Sequence, residues 1–181
     1  MAAKYPLVLN GTAIQELQSG DALATQSITT GSSGTAGTIT GTWSLSSGST
    51  LQSTYADLAE WYTSDDKYTP GTVLVFGGEA ETTVTRTFGD SRVAGVVTEN
   101  PAYVMNNYLA DKQNSVCLAL QGRVKCKVVG KVSKGDLLTT AGTAGCAAKS
   151  LNPSVGTILG KSLENKDSLE VGFIEVAVGR L

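Results

Sequence analysis

From Ala22 to Ala56 the sequence carries not one charged residue, and within positions 24–54 Gly, Ser and Thr fill 22 of 31 places. So small a share of large apolar side chains cannot close a private core in a monomer. A flexible linker is the ordinary meaning of such composition. Against it stands the strand preference of Thr, together with the apolar residues Ile28, Ile39, Trp43, Leu45 and Leu51 set through short Thr-rich segments. In TITGTWSL the residues Ile39, Gly41, Trp43 and Leu45 share parity, so one side of a strand there is apolar and requires a partner. If identical strands of neighbouring subunits supply that partner, the segment is an intertwined collar or shaft. A collar is therefore expected, with a flexible linker as the alternative.

Ahead of this segment lies YPLVLNGTAIQELQSGDAL, residues 5–23. It has an apolar run at Leu7–Leu9, a turn signal at Asn10-Gly11, Ile14 and Leu17 three apart, and a second turn signal at Ser19-Gly20-Asp21. A free terminus frays unless something ties it down. A segment with Leu7, Val8, Leu9, Ile14 and Leu17 so close together is expected to dock on another subunit or on a different protein. The composition changes near residues 50–55, which gives three regions: an arm at 1–23, a collar at 24–54 and a folded domain at 55–181.

The domain reads as all-β. Strand signals recur at short spacing between Gly and Pro punctuation, as in a sandwich or small antiparallel barrel. Strands are expected near 58–62, 72–76, 82–87, 93–98, 116–129, 136–139, 145–148, 157–163 and 171–178. Thr69-Pro70-Gly71-Thr72 suits a type II turn. Residues 100–113 read as a loop with room for one helical turn.

Parity settles one chemical question. A hairpin turn at Gln121-Gly122 would set Cys117 opposite Cys126, but it would also mix Leu118 with Lys125 and Leu120 with Arg123 on one face. A single long strand places Val116, Leu118, Leu120, Val124, Cys126 and Val128 on one face and Gln121, Arg123, Lys125 and Lys127 on the other. Free thiols are therefore expected, with Cys126 buried as a small hydrophobe.

Absences narrow the chemistry. The 181 residues include no His, which removes Ser-His-Asp and Cys-His catalysis and the His-based zinc sites. Three cysteines without CxxC spacing fit a reducing compartment. With 14 Lys and Arg against 16 Asp and Glu and no strongly basic run, nucleic acid is not an expected partner. The first residues lack the pattern of a secretory signal, and no apolar stretch is long enough for a transmembrane helix, so no membrane insertion is expected. Asp57 and Glu60, followed by Asp65-Asp66, form the most acidic patch; a glycosidase pair or a Ca2+ site there is the rarer meaning, and solvated carboxylates beside a strand are the expectation. The glycine-rich pieces 31–34 and 142–145 lack the GK[ST] of a phosphate loop. Trp43, Trp61, Tyr62, Tyr68, Tyr103 and Tyr108 are candidates for stacking on sugars, with core and interface as their default homes.

Two stretches resemble known proteins. Pro6, Leu7, Val8, Gly11, Glu16, Leu17, Gly20 and Asp21 match the form of the anchoring peptide at the start of bacteriophage fibre proteins, and ITGTWSLSSGSTLQSTYADLAEWY is similar to a shaft-to-head transition. The C-terminal half, with VAGVVT, LQGRV, KGDLLTT, GTILGKSLE and EVAVGRL, resembles small β-barrel capsid decoration (cement) proteins of tailed phages. The resemblance implies a non-enzymatic, homotrimeric capsid decoration or head-fibre protein, made in the host cytoplasm and located in the virion. The alternative is a short tail fibre or receptor-binding module for a host glycan. The resemblance and the apolar patterning together give the expected anchoring and interface residues: Pro6, Leu7, Val8, Leu9, Ile14, Glu16, Leu17, Ile39, Trp43 and Leu45. The expected partners are further copies of the chain and a capsid or tail protein, and no cofactor or metal is expected.

Overall fold

The computed structural model describes residues 7–10, 13–16, 44–110 and 112–179. The chain divides into two units, Met1–Thr50 and Leu51–Leu181. In the first, β1 (Leu7–Asn10) and β2 (Ala13–Glu16) form an antiparallel ladder with Leu7 opposite Glu16, Leu9 opposite Ile14 and Asn10 opposite Ala13. Gly11 of the expected Asn10-Gly11 turn lies outside the described residues, as does the expected collar up to Trp43. Residues 44–50 hold a turn and no strand, closed by the Ser49 N–H donating to the Ser46 carbonyl at 3.1 Å.

The regular structure of the second unit is almost all strand: β3 (Asp57–Thr63), β4 (Val73–Phe76), β5 (Thr82–Thr83), β6 (Val93–Val97), β7 (Tyr103–Met105), β8 (Ser115–Val128), β9 (Leu137–Thr140), β10 (Ala147–Lys149), β11 (Ile158–Ser162) and β12 (Gly172–Val178). Among the described residues the single helical feature is a 3-10 turn at Asn107–Leu109.

The order β8-β12-β11-β9-β10 runs antiparallel throughout and closes on itself where Ala147 of β10 pairs with Val128 of β8 in the parallel sense. These five strands make a closed barrel, which leaves no open edge along its circuit. Every second residue points inward: Cys126 and Val128 from β8 and Ile174, Val176 and Val178 from β12 join Leu138, Ala147 and Leu159 in one buried cluster. Val73, Val96 and Val132 belong to the same cluster.

β8 is the spine of the unit. Its second half belongs to the barrel, while its first half carries β3 on one side and β6, β4 and β5 on the other, with β7 added parallel to β3. The two halves meet at Gly122, whose φ of 108° and close approach to the Ala56 carbonyl exclude a side chain. Leu74, Val97, Val116 and Leu118 form a second buried cluster on the first half.

The single-strand reading of 115–129 holds, and beyond Gln121 the alternation is as expected. In the first half both faces are covered, so Cys117 and Ala119 are buried along with Val116 and Leu118. The expected strand at 82–87 stops after Thr83. There the Thr85 hydroxyl donates to Asp90 at 2.9 Å and receives the Thr87 N–H at 3.1 Å, a local arrangement that competes with ladder pairing. The loop expected at 100–113 contains β7, and the type II turn at Pro70-Gly71 is present with Gly71 at φ 86°.

Candidate functional site

The sequence places the attachment residues in the first unit. The ladder holds the backbones of Leu7, Val8, Leu9, Ile14 and Glu16; Ile14 is 73% exposed, and Glu16 is also exposed. Leu45 is 52% exposed and lies in no strand. Pro6, Leu17, Ile39 and Trp43 lie outside the described residues. A two-stranded ladder with four-residue strands is marginal in water.

A second surface was not foreseen. On the outer face of β8 and β12, where the inward alternation leaves Arg123, Lys125, Phe173 and Glu175 pointing away from the barrel, a cleft of about 610 Å3 opens. Its remaining walls are the lead-in to β3 at Thr54–Asp57, the Pro70-Gly71 turn and residues 97–100 after β6. Two aromatic rings line it, Tyr55 at 54% exposure and Phe173 at 58%. Phe173 lies so close to Gly71 that a Cβ there would come within 2.5 Å of its ring. The lining carries three carboxylates, Asp57, Glu99 and Glu175, against two cations, Arg123 and Lys125. Arg123 and Glu175 form an ion pair at 3.2 Å.

Asp57 is the unusual member of this set. It is 3% exposed, and its Oδ1 accepts the Ala102 N–H at 3.3 Å, while Oδ2 is buried without a hydrogen-bond partner. Leaving such an oxygen unmatched costs about 1–3 kcal/mol, a penalty that folded proteins retain only where something offsets it.

The other acidic residues of the sequence patch are already engaged. Glu60 accepts the Tyr62 hydroxyl at 2.7 Å, Asp65 accepts those of Tyr68 at 2.6 Å and Thr83 at 2.5 Å, and Asp66 accepts the Lys67 N–H at 2.7 Å. Among the described residues no group of three or more acidic or cysteine side chains is placed to hold a metal ion. Tyr103 and Tyr108 are exposed, whereas Trp61, Tyr62 and Tyr68 are half-buried. The three cysteines are free and buried. Burial, with the charge of Asp57 adding to it, pushes the Cys117 thiol up to about 11, and burial raises Cys126 and Cys146 as well.

Sequence reasoning missed Tyr55 and Phe173. Phe173 was within reach, because the parity that sends Ile174, Val176 and Val178 inward sends Phe173 and Glu175 outward. Tyr55 precedes any strand and carries no such signal.

No family model matches the chain, and no curated protein matches it. Among solved structures, the pre-mature bacteriophage phi29 gene product 12 is similar at a TM-score of 0.57 and 13% identity, over 72% of this chain and 23% of that one. The head fiber gp8.5 N base of bacteriophage phi29 aligns at a TM-score of 0.41 and 14% identity, over 66% of this chain and 92% of that one. The first likeness establishes a shared fold. This chain spans under a quarter of that longer protein.

Proposed function

We propose that this chain is a structural protein of a bacteriophage virion, a homotrimeric capsid decoration or head-fibre protein attached through its N-terminal arm. The observation that carries this reading is the fold shared with a bacteriophage protein over 72% of the chain. The fibre-like anchoring pattern in residues 6–21 supports it as a separate signal from the sequence.

Attachment in this reading is mechanical. The arm buries Leu7, Leu9, Ile14 and Leu17 against a capsid or tail protein, and an arm covering roughly 300 Å2 of apolar surface gains about 7 kcal/mol before ordering costs. Three arms on one trimer convert a modest single contact into durable attachment by effective concentration. The protein is read as non-enzymatic: it has no His, and Glu60, Asp65 and Asp66 are committed to local hydrogen bonds. Removing residues 1–23 should abolish incorporation into particles while the remaining chain stays soluble. Particles that incorporate the shortened chain normally would refute the arm as the anchor.

A second reading, a short tail fibre or receptor-binding module for a host glycan, is favoured by one observation. The second unit displays solvent-exposed rings around a cleft with mixed polar lining, an arrangement that suits a ligand.

A further inference from the structure

We propose that the cleft between β8, β12 and the Pro70-Gly71 turn is a saccharide-binding site for a neutral or amino-sugar glycan, with Tyr55 and Phe173 as stacking platforms. The inference rests on the receptor-binding reading and names its site and its ligand class.

Two features of the cleft point to this chemistry. Exposed rings offer flat apolar faces that suit the C–H face of a pyranose, and both rings keep more than half of their surface open to solvent. One edge of the Phe173 ring packs on the Gly71 backbone, while the rest of the ring stays open to solvent.

Charge selects within the class of sugars. Once Arg123 is paired with Glu175, Lys125 stands against Asp57 and Glu99, which leaves the lining with an excess of one negative charge. A polyanionic ligand such as a phosphate polymer or a sialylated chain would meet that excess unfavourably, whereas a neutral or cationic sugar does not. The cavity of about 610 Å3 falls in the range of small-ligand sites, enough for a short oligosaccharide.

The test is a glycan array probed with the full chain, followed by titration of the best ligand. Neutral or amino-sugar glycans should bind. Phe173→Ala and Tyr55→Ala should each weaken binding by up to about tenfold, the usual worth of one aromatic contact. Tyr108→Ala, exposed and away from the cleft, should leave it unchanged. Binding confined to sialylated or phosphorylated glycans would overturn the proposal. So would binding that both cleft variants leave intact, although the receptor-binding reading would then survive with its site elsewhere. An array with no bound glycan removes both and leaves the virion reading standing. If Phe173→Ala and Tyr55→Ala instead lower the molar mass measured by light scattering, the cleft is a contact between copies of the chain, which also overturns it.

Discussion

Asp90 shows how single residues hold the loops to this barrel. It is 6% exposed, and its carboxylate accepts the Arg92 backbone N–H and Nε at 3.0 Å each, Arg92 Nη2 at 2.7 Å and the Thr85 hydroxyl at 2.9 Å. Its own N–H donates to the Thr140 hydroxyl of β9 at 2.8 Å, which ties residues 85–92 to the barrel wall. The Arg92 side chain, with its backbone N–H and Thr85, outweighs burial and holds the Asp90 carboxyl well below the usual carboxylate range. Because the folded pKa is depressed, this stabilisation is complete above the unfolded value of 3.8 and is lost as pH falls toward the folded one. The melting temperature should therefore drop on acidification below about pH 4, and Asp90→Asn should flatten that dependence. Asp136, lowered by the Ser133 N–H and Lys149, and Asp65, where the Thr83 and Tyr68 hydroxyls overcome burial, leave a residual slope. At neutral pH, Asp90→Ala should cost about 1.5–3 kcal/mol by denaturant titration, the worth of hydrogen bonds to a charged group. Gly71 carries a different constraint: its φ of 86° and the Phe173 ring both exclude a Cβ. Gly71→Ala should cost about 1–2 kcal/mol in a thermal melt for the backbone conformation alone, with any displacement of Phe173 adding to it.

The strands were legible wherever one rule of pattern was decisive. In β8 a run of seven same-parity positions made the single strand and its inward face readable, and Pro70-Gly71 announced its turn because few residues other than Gly tolerate the positive φ at that position. Where two influences compete, the pattern fails. Thr85 has strand propensity, yet its hydroxyl is drawn to Asp90, and nothing local in the sequence records that. β7 is three residues long and exists because β3 offers it an edge. The first half of β8 is covered on both faces by elements distant in sequence, so alternation alone left Cys117 with a more open surface than it has. The cleft was missed for the same reason, being assembled from five separate segments. The burial of the cysteines makes a prediction for these elements. Only a thiolate attacks a thiol reagent, and all three thiols are raised. The native protein at pH 8 should react slowly with a disulfide reagent, while the chain unfolded in urea should titrate all three at once. Rapid reaction of even one thiol in the native state would contradict the burial of Cys117, Cys126 and Cys146.

At the scale of the molecule the two units differ in what they need. The second unit closes a barrel on itself and buries two apolar clusters of its own. The described part of Met1–Thr50 has no comparable core: a marginal ladder with Ile14 exposed, and a turn with Leu45 half in solvent. Apolar residues set among uncharged Gly, Ser and Thr find burial most economically against identical copies, because a rotation axis repeats the same small-residue surface on each partner. Association should then depend on the first unit and not on the barrel. Light scattering on the full chain should give about three times 18.7 kDa, and a shortened chain starting at Tyr55 should fall toward the mass of one barrel while keeping its melting transition. Loss of the trimer together with unfolding of the barrel would mean that the barrels themselves are interdependent. A monomer in both cases would return residues 24–54 to the role of a tether and leave single arms, without avidity, to attach the protein.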